Sequence, residues 1–313
     1  MNIYLLSCAT MEDGGGVYRY KLSGNGTEQE GFLPCDRPMY AVNDGKRLHI
    51  LLRAPFTESE NSGYFSCNED FTDCGEIKDT LGKCACHLAV AENDVYIANY
   101  LSGNIVKNCM LPRVHTGGGV YLPRQDMPHT HFAAVSRDKK RVLCCDLGLD
   151  TVFVYDRDLN EVSRAKVPAG YGVRHLAITQ DGHTVYAVNE LVPSVSVFSF
   201  DGENLGLKRT VTLPCENKTS TAAAIRLSAD ETKLYVSARG ENALFVLRAE
   251  GERTEIIQKA SCGGDSPRDF NLFGNLILCC NERSDNIHLF ETKNGFIKNK
   301  VNSITLKSPL CVL

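Results

Sequence analysis

Six stretches of the chain repeat one pattern, and that repeat restricts the fold more than any other feature. YGVRHLAITQDGHTVYAVNE (171–190) aligns with KCACHLAVAENDVYIANY (83–100), MPHTHFAAVSRDKKRVLCCD (127–146), STAAAIRLSADETKLYVSAR (220–239) and DSPRDFNLFGNLILCCNE (265–282). DRPMYAVNDGKRLHILLR (36–53) is a weaker copy. Each reads strand, polar turn, strand. The second strands begin at Leu48, Val95, Val142, Val185, Leu234 and Leu276, in steps of 47, 47, 43, 49 and 42 residues. Periods of this size mark propeller or solenoid arrays. Two more strand-like pieces follow each hairpin, as in 151-TVFVYDRD-158 and 162-VSRAKVP-168, and no helical periodicity of any length interrupts them.

Four-stranded units in tandem fit propeller blades, which cover one another's faces. With the strands of a unit lettered A to D, six full units run from about Arg37 to about Lys307. The ends supply a seventh: 2-NIYLLSCAT-10, 16-GVYRYKL-22 and 31-GFLP-34 read as B, C and D strands without an A, and 308-SPLCVL-313 reads as an A strand without partners. Pairing the two ends would remove two open sheet edges. The expectation is an all-β, seven-bladed β-propeller of four-stranded antiparallel blades, one domain over 1–313.

Composition excludes several functional classes. No run approaches the roughly 18 to 20 apolar residues of a membrane span, so no membrane partner is expected. A formal net charge of −4 lacks the basic field of a general nucleic-acid binder. The N-terminal MNIYLLSCATMED has no basic n-region, and a cytoplasmic location is expected. The 14 cysteines are then read as reduced. Cys144-Cys145 and Cys279-Cys280 fall in strands, where neighbouring side chains point to opposite faces, so they read as small buried hydrophobes. Cys84-x-Cys86-His87 lacks a second zinc-type pair, and no metal or other cofactor is expected. The sequons at Asn25 and Asn217 carry little meaning in that compartment.

In a propeller the A strand lines the central channel, and B returns antiparallel beside it, so A starts and B ends share one face. The A starts bring His87, His131 with His129 two residues earlier, Arg174 and His175, Arg226, and Arg268. The B ends bring Asn99-Tyr100, Asp146, Asn189-Glu190, Arg239 and Asn281-Glu282. Polar strand ends often serve only to satisfy backbone groups. Their recurrence in five units points instead to a basic site at one channel mouth, suited to a carboxylate or phosphate on a small anionic molecule.

The ordered set 86-CHLAV-90 with 97-IANYLSGNI-105, 128-PHTHFAAVS-136 with 146-DLGLDTVFVY-155, 174-RHLAI-178 with 187-AVNEL-191, 223-AAIRLS-228, 267-PRDFNLF-273 with 281-NERSDNI-287, and the terminal 309-PLCVL-313 resembles the lactonase family of seven-bladed β-propellers. That family includes 6-phosphogluconolactonase and the carboxy-cis,cis-muconate cyclase. The resemblance covers nearly the whole chain. It implies a metal-independent site built on His131, Arg174, Glu190 and Arg226. His87, His175, Arg239 and Arg268 stand behind these as substrate-binding candidates, together with His129, Asp146 and Asn189. Ala85 and Cys86 depart from the family's Pro-containing turn, and 56-FTESENSGYFSCNEDFTDCGEIKD-79 is inserted in the first unit.

The resemblance implies hydrolysis of a sugar δ-lactone such as 6-phospho-D-glucono-1,5-lactone, a reaction of the pentose phosphate pathway. Glu190 or His131 would take a proton from water, Arg174 and Arg226 would stabilise the oxyanion, and Arg239, Arg268 or His87 would hold the phosphate. Two other readings remain open, a muconate-type lactonising cyclase clamping two carboxylates and a non-enzymatic binding propeller; a calcium-dependent gluconolactonase fits poorly, because the mouth has too many cations and too few oxygen ligands. Covalent catalysis is the weaker option: Cys145, beside Asp146, is the one cysteine near enough to the mouth to be a nucleophile, and strand alternation offers the sheet as its other direction.

Overall fold

The computed structural model describes residues 1–313 and contains seven four-stranded sheets with no α-helix. Six of the sheets use consecutive strands, with inner strands Pro38–Asn43, Ala85–Ala91, Thr130–Val135, Val173–Ile178, Thr221–Leu227 and Pro267–Phe273. The seventh takes its inner strand, Pro309–Val312, from the end of the chain and adds Asn2–Ser7, Gly16–Ser23 and Gly26–Pro34 from its beginning. Each inner strand contacts the next, and Pro309–Val312 contacts both Pro267–Phe273 and Pro38–Asn43, so the ring is closed. The B strands start within one residue of the positions expected from the repeat: Leu48, Asp94, Val142, Thr184, Lys233 and Leu276.

Alternation along the B strands holds the ring together. In blade 3, Leu143 and Cys145 pack against Leu176 and Ile178 of blade 4, while Val142 and Cys144 pack with Tyr96 and Ile105 of blade 2. Cys279 and Cys280 divide in the same way between the interfaces of blade 6 with blades 5 and 7. Both pairs are therefore core residues facing opposite neighbours, as a period of two requires. Cys145 is fully buried between blades and does not reach the mouth, which corrects its reading as a possible nucleophile.

The inserted stretch 56–79 lies away from the channel. It supplies the C strand Asn61–Cys67 and a turn whose Phe71 packs edge-on against Tyr4 at 6.0 Å. The Glu69 carbonyl accepts hydrogen bonds from Tyr4 and Arg19, so the turn fastens blade 1 to blade 7 across the closure.

One irregularity recurs at the start of every inner strand and places the functional side chains. The pairing of each A strand with its B strand slips by one residue, at Met39, Cys86, His131, Arg174, Ala223–Ala224, Arg268 and Leu310. A bulge re-aims the side chains around it. Two successive residues of one strand consequently face the channel. The first ring of such residues is Met39, Cys86, His131, Arg174, Ala223, Arg268 and Leu310; the second is Tyr40, His87, Phe132, His175, Ala224, Asp269 and Cys311. In five blades the chain enters the bulge through a left-handed residue two positions earlier: Arg37, Cys84, Gly172, Ser266 and Ser308. At Gly172 the choice of glycine is also steric, because a Cβ would come within 2.7 Å of Leu191.

Closure by the terminal strand generates a prediction. Leu310, Cys311 and Val312 are buried, and removing them leaves Asn2–Ser7 with a bare edge. A chain ending at Lys307 should lose roughly 5 kcal/mol or more of stability, read as a lower urea midpoint, and should aggregate through the exposed edge.

Candidate active site

The upper mouth, where the A strands begin, opens into a cavity of about 580 Å³. Two structural positions supply most of its lining. One is the bulge residue, giving Cys86, His131 and Arg268 to the wall and Arg174 just beneath it. The other is the residue that follows the B-strand partner of the residue just ahead of the bulge, giving Tyr100, Glu190, Arg239 and Glu282. That partner does different work in two blades. Asn189 is buried and donates to Ser194 and Ser196 at 3.0 and 2.9 Å. Asp146 is buried, accepts the backbone N–H of His129 at 2.9 Å, and lies 2.6 Å from His115 Nδ1. The expectation that Asn189 and Asp146 contact substrate is therefore corrected: both are committed to holding strand ends.

Glu190 is the centre of the arrangement. Its Oε1 accepts from Arg124 at 2.6 Å, and its Oε2 lies 3.0 Å from Arg174 Nε and 3.1 Å from Arg239 Nη2. The carboxylate is almost fully buried. Burial alone would raise its pKa, but Arg239 and Arg174 outweigh that and hold it well below the usual carboxylate range. An ionised carboxylate with a guanidinium on each oxygen is a poor proton acceptor. Of the two bases left open by the sequence, the geometry therefore favours His131.

His131 is buried, and burial together with the Arg174 charge pushes its pKa well below the ordinary histidine value, so the ring is neutral. Its Nδ1 lies 3.7 Å from Cys86 Sγ, and its Nε2 has no partner in the protein. Burial keeps Cys86 a thiol by raising its pKa strongly. Cys84 and Cys86, not Cys145, are the cysteines that line the upper cavity.

The guanidiniums differ in how firmly they are occupied. Arg174 also donates to the Ala223 carbonyl at 2.7 Å, a contact open to it because Ala223 occupies the equivalent place in blade 5. Arg239 has a buried Nε without a partner. Arg268 is the freest of the inner three: its nearest carboxylate oxygen, on Glu282, is 3.6 Å away. Desolvation lowers its pKa, but Glu282 and Glu190 more than reverse the shift, so it stays charged. Arg124 reaches in from the connector between Val114 and Thr130, which is fixed by the buried Gln125 through bonds of 2.8 Å to Leu147 and Asp150. Counting Arg283 at the rim, five guanidiniums face the carboxylates of Glu190 and Glu282.

Not every expected residue converges here. Arg226 does not reach the upper mouth. In the pairing registers Ile225 sits opposite Val236 as Leu176 does opposite Ala187, so Arg226 is equivalent to Ala177 and lies three residues further along the channel than Arg174. It bonds to Asp269 at 2.8 Å and lines a separate cavity at the opposite mouth. His87 also belongs to that lower side, packed between Tyr40 and Phe132 at 4.2 and 3.9 Å. His175 is in the second ring, below Arg174, with its ring nitrogens 3.0 and 3.4 Å from Arg174 Nη1. His129 stacks on Tyr100 at 4.4 Å and supports the rim from behind. Cys84 and Cys86 line the upper cavity while His87 lines the lower one, so Cys84-x-Cys86-His87 does not form one cluster. Arg124 and Arg283 are the residues sequence reasoning missed; the available signals were a lone arginine in the long glycine-rich connector HTGGGVYLPRQDMPH and an arginine directly after Glu282.

Comparison with known proteins places the fold in a family. The model of a family described as lactonase, seven-bladed β-propeller, matches residues 3–313. The chain belongs to that family. An uncharacterized protein of Staphylococcus aureus is 30% identical over 311 residues, covering 89% of each chain. The crystal structure of a protein from Lactobacillus plantarum superposes with a TM-score of 0.89 at 26% identity, covering 99% of this chain and 98% of that one. Two further structures share the fold. One is a Bacteroides fragilis protein provisionally assigned as a 6-phosphogluconolactonase, with a TM-score of 0.89 at 21% identity, covering 100% and 97% of the chains. The other is the periplasmic gluconolactonase of Pseudomonas aeruginosa, with a TM-score of 0.87 at 24% identity, covering 99% and 98%.

The Glu190 cluster generates a stability prediction for this lactonase-family propeller. Replacing Glu190 by Gln leaves Arg124, Arg174 and Arg239 without their shared counter-charge, and breaking such a buried pair costs about 3 to 5 kcal/mol. Urea denaturation at pH 7 should show that loss. The folded pKa is depressed, so the wild-type advantage is complete above the unfolded value of about 4.3 and declines as pH falls toward the folded pKa.

Proposed function

We propose that the chain is a hydrolase that opens a sugar δ-lactone, with 6-phospho-D-glucono-1,5-lactone as the first substrate to test. The observation that carries this reading is the pairing, in one cavity, of a neutral His131 with an excess of guanidinium over carboxylate. The lactonase family and the gluconolactonase from Pseudomonas aeruginosa support the reaction class.

In this mechanism, His131 Nε2 takes a proton from water as the water oxygen bonds to the lactone carbonyl carbon. The carbonyl oxygen becomes an oxyanion facing Arg268 and Arg239, whose N–H groups are the least occupied of the inner arginines. Removal of one such donor typically costs about 10²- to 10³-fold in rate. The carbon–ring-oxygen bond then breaks, and the imidazolium returns its proton to the departing alkoxide. The low pKa of His131 makes its protonated form a strong acid, which favours that second transfer. Glu190 keeps Arg124, Arg174 and Arg239 charged and aimed. Arg124 and Arg283, at the rim, hold the phosphate. No step calls on a cofactor.

A muconate-type lactonising cyclase is the second reading, favoured by the same guanidinium excess, which would clamp two carboxylates of an unsaturated acid. We assign the activity to the cytoplasm and the pentose phosphate pathway, in keeping with 14 cysteines, all free thiols.

The experiment follows opening of freshly generated 6-phosphogluconolactone through coupled 6-phosphogluconate dehydrogenase, with gluconolactone alongside. The wild type should exceed the spontaneous rate with and without EDTA, and His131→Asn should lose about 10²- to 10⁴-fold. No acceleration of either lactone would remove the assignment and turn attention to muconate-type acids. The pH profile supplies a second check. The base must be unprotonated and its pKa is lowered, so kcat/KM should stay level as pH falls through the ordinary histidine value of about 6.5 and decline only below it. A decline centred at that value would assign the base elsewhere.

A further inference from the structure

The channel has a second cavity, at the mouth opposite the one described above, with a volume of about 610 Å³. The second ring of inner-strand residues separates the two, leaving only a void of about 20 Å³ between them. Small side chains make the wall of the lower cavity: Ala89, Ala134 and Ala177 stand side by side on three adjacent blades. Beneath them the rings of Tyr40, His87 and Phe132 pack against one another and form an aromatic floor. The charged groups on the residues that line this cavity are the guanidiniums of Arg137 and Arg226 and the terminal carboxylate of Leu313, one oxygen of which accepts the Tyr4 N–H at 2.7 Å; no Asp or Glu side chain is among its walls.

Three side chains on that lining keep donors that the protein leaves unused. His87 is 5% exposed, and its Nδ1 accepts the Ala133 N–H at 3.4 Å, which places the proton on Nε2. That N–H has no partner in the protein. Arg226 spends one N–H on Asp269 and another on the Ile225 carbonyl, and its remaining N–H groups are unpaired. The Tyr40 hydroxyl has no partner either. Cavities of this size, mostly apolar and with a few converging polar groups, are where small ligands bind. Donors that face a cavity and have no partner in the protein are free to bond an acceptor on a ligand, at about 0.5 to 1.5 kcal/mol each and about 1.5 to 3 kcal/mol where one partner is charged.

We propose that the lower cavity is a second binding site, separate from the upper one, for a small apolar carboxylate such as an aromatic or branched aliphatic acid. The carboxylate takes the donors of Arg226 and His87, and the hydrocarbon lies against the alanine wall and the aromatic floor.

The test titrates the full chain with 2-naphthoate, followed by probe fluorescence, and with 2-naphthalenemethanol as its neutral counterpart. The absence of Trp from the chain keeps the background low. Naphthoate should bind saturably and about tenfold more tightly than the alcohol. His87→Phe keeps the stacked ring but removes the N–H, and should weaken naphthoate by about tenfold. Ala134→Leu fills the wall and should abolish binding of both probes. Millimolar 6-phosphogluconate should displace neither. Absence of saturable binding, equal affinity for the two probes, displacement by 6-phosphogluconate, or full affinity in Ala134→Leu would each overturn the proposal. A crystal structure of the wild-type chain with 2-naphthoate decides the matter without any variant, by showing the probe at the lower mouth or elsewhere.

Discussion

Each sheet of this protein is apolar on both faces, and that single constraint shapes everything else. A blade such as the one built on Val173–Ile178 cannot hide Leu143-facing and Ala238-facing surfaces by itself; it needs a neighbour on each side. An open row of such blades would leave two faces wet. Closing the row into a ring removes them, and the strand Pro309–Val312 makes the closure by joining blade 7 from both chain ends. The channel is a by-product of that closure, since seven inner strands meeting around an axis leave a space that their side chains must fill or line.

What fills it is set by the bulge at the head of each inner strand. A regular strand would send alternate residues toward the axis, one per pair. The slipped register sends two in succession, and the ring therefore has a plugged middle and two unlike ends. The upper end gathers His131, Arg174 and Arg268, and the lower end gathers Ala89, Ala134 and Ala177. Arginines so close together repel one another. Glu190 is the group that makes their proximity tolerable, and it does so at the expense of any role as a base. A nearly buried carboxylate that binds Arg124, Arg174 and Arg239 at once acts as an organiser of positive charge.

Arg226 shows where linear reading goes astray. In the aligned repeats AAIRLS sits beside VRHLAI, with Ala223 opposite Arg174 and Arg226 opposite Ala177. Residue type suggested a partner for Arg174; register says otherwise, and three residues along a strand is roughly 10 Å, enough to carry a side chain from one mouth to the other. Asp146 and Asn189 fail for a related reason. They end their B strands inside the sheet, and in the blade of Asn189 only the next residue, Glu190, turns to the cavity, a one-position distinction on which a period-two structure depends.

The sequence by itself determined the ring: the period of the repeat, the alternation of the B strands and the complementary ends at Asn2 and Leu310 are local patterns, and local patterns fix strand, face and blade. It also determined which mouth would be basic, because His131, Arg174, Glu190 and Arg268 recur at strand ends. Only the tertiary structure decided depth and partnership. Arg124 comes to Glu190 from a connector two blades away, the bulges reset which residues face the axis, and Glu190 gains its low pKa from three arginines separated along the chain. Those are properties of distances between segments, and a linear pattern carries no information about charges that meet only after the ring has closed.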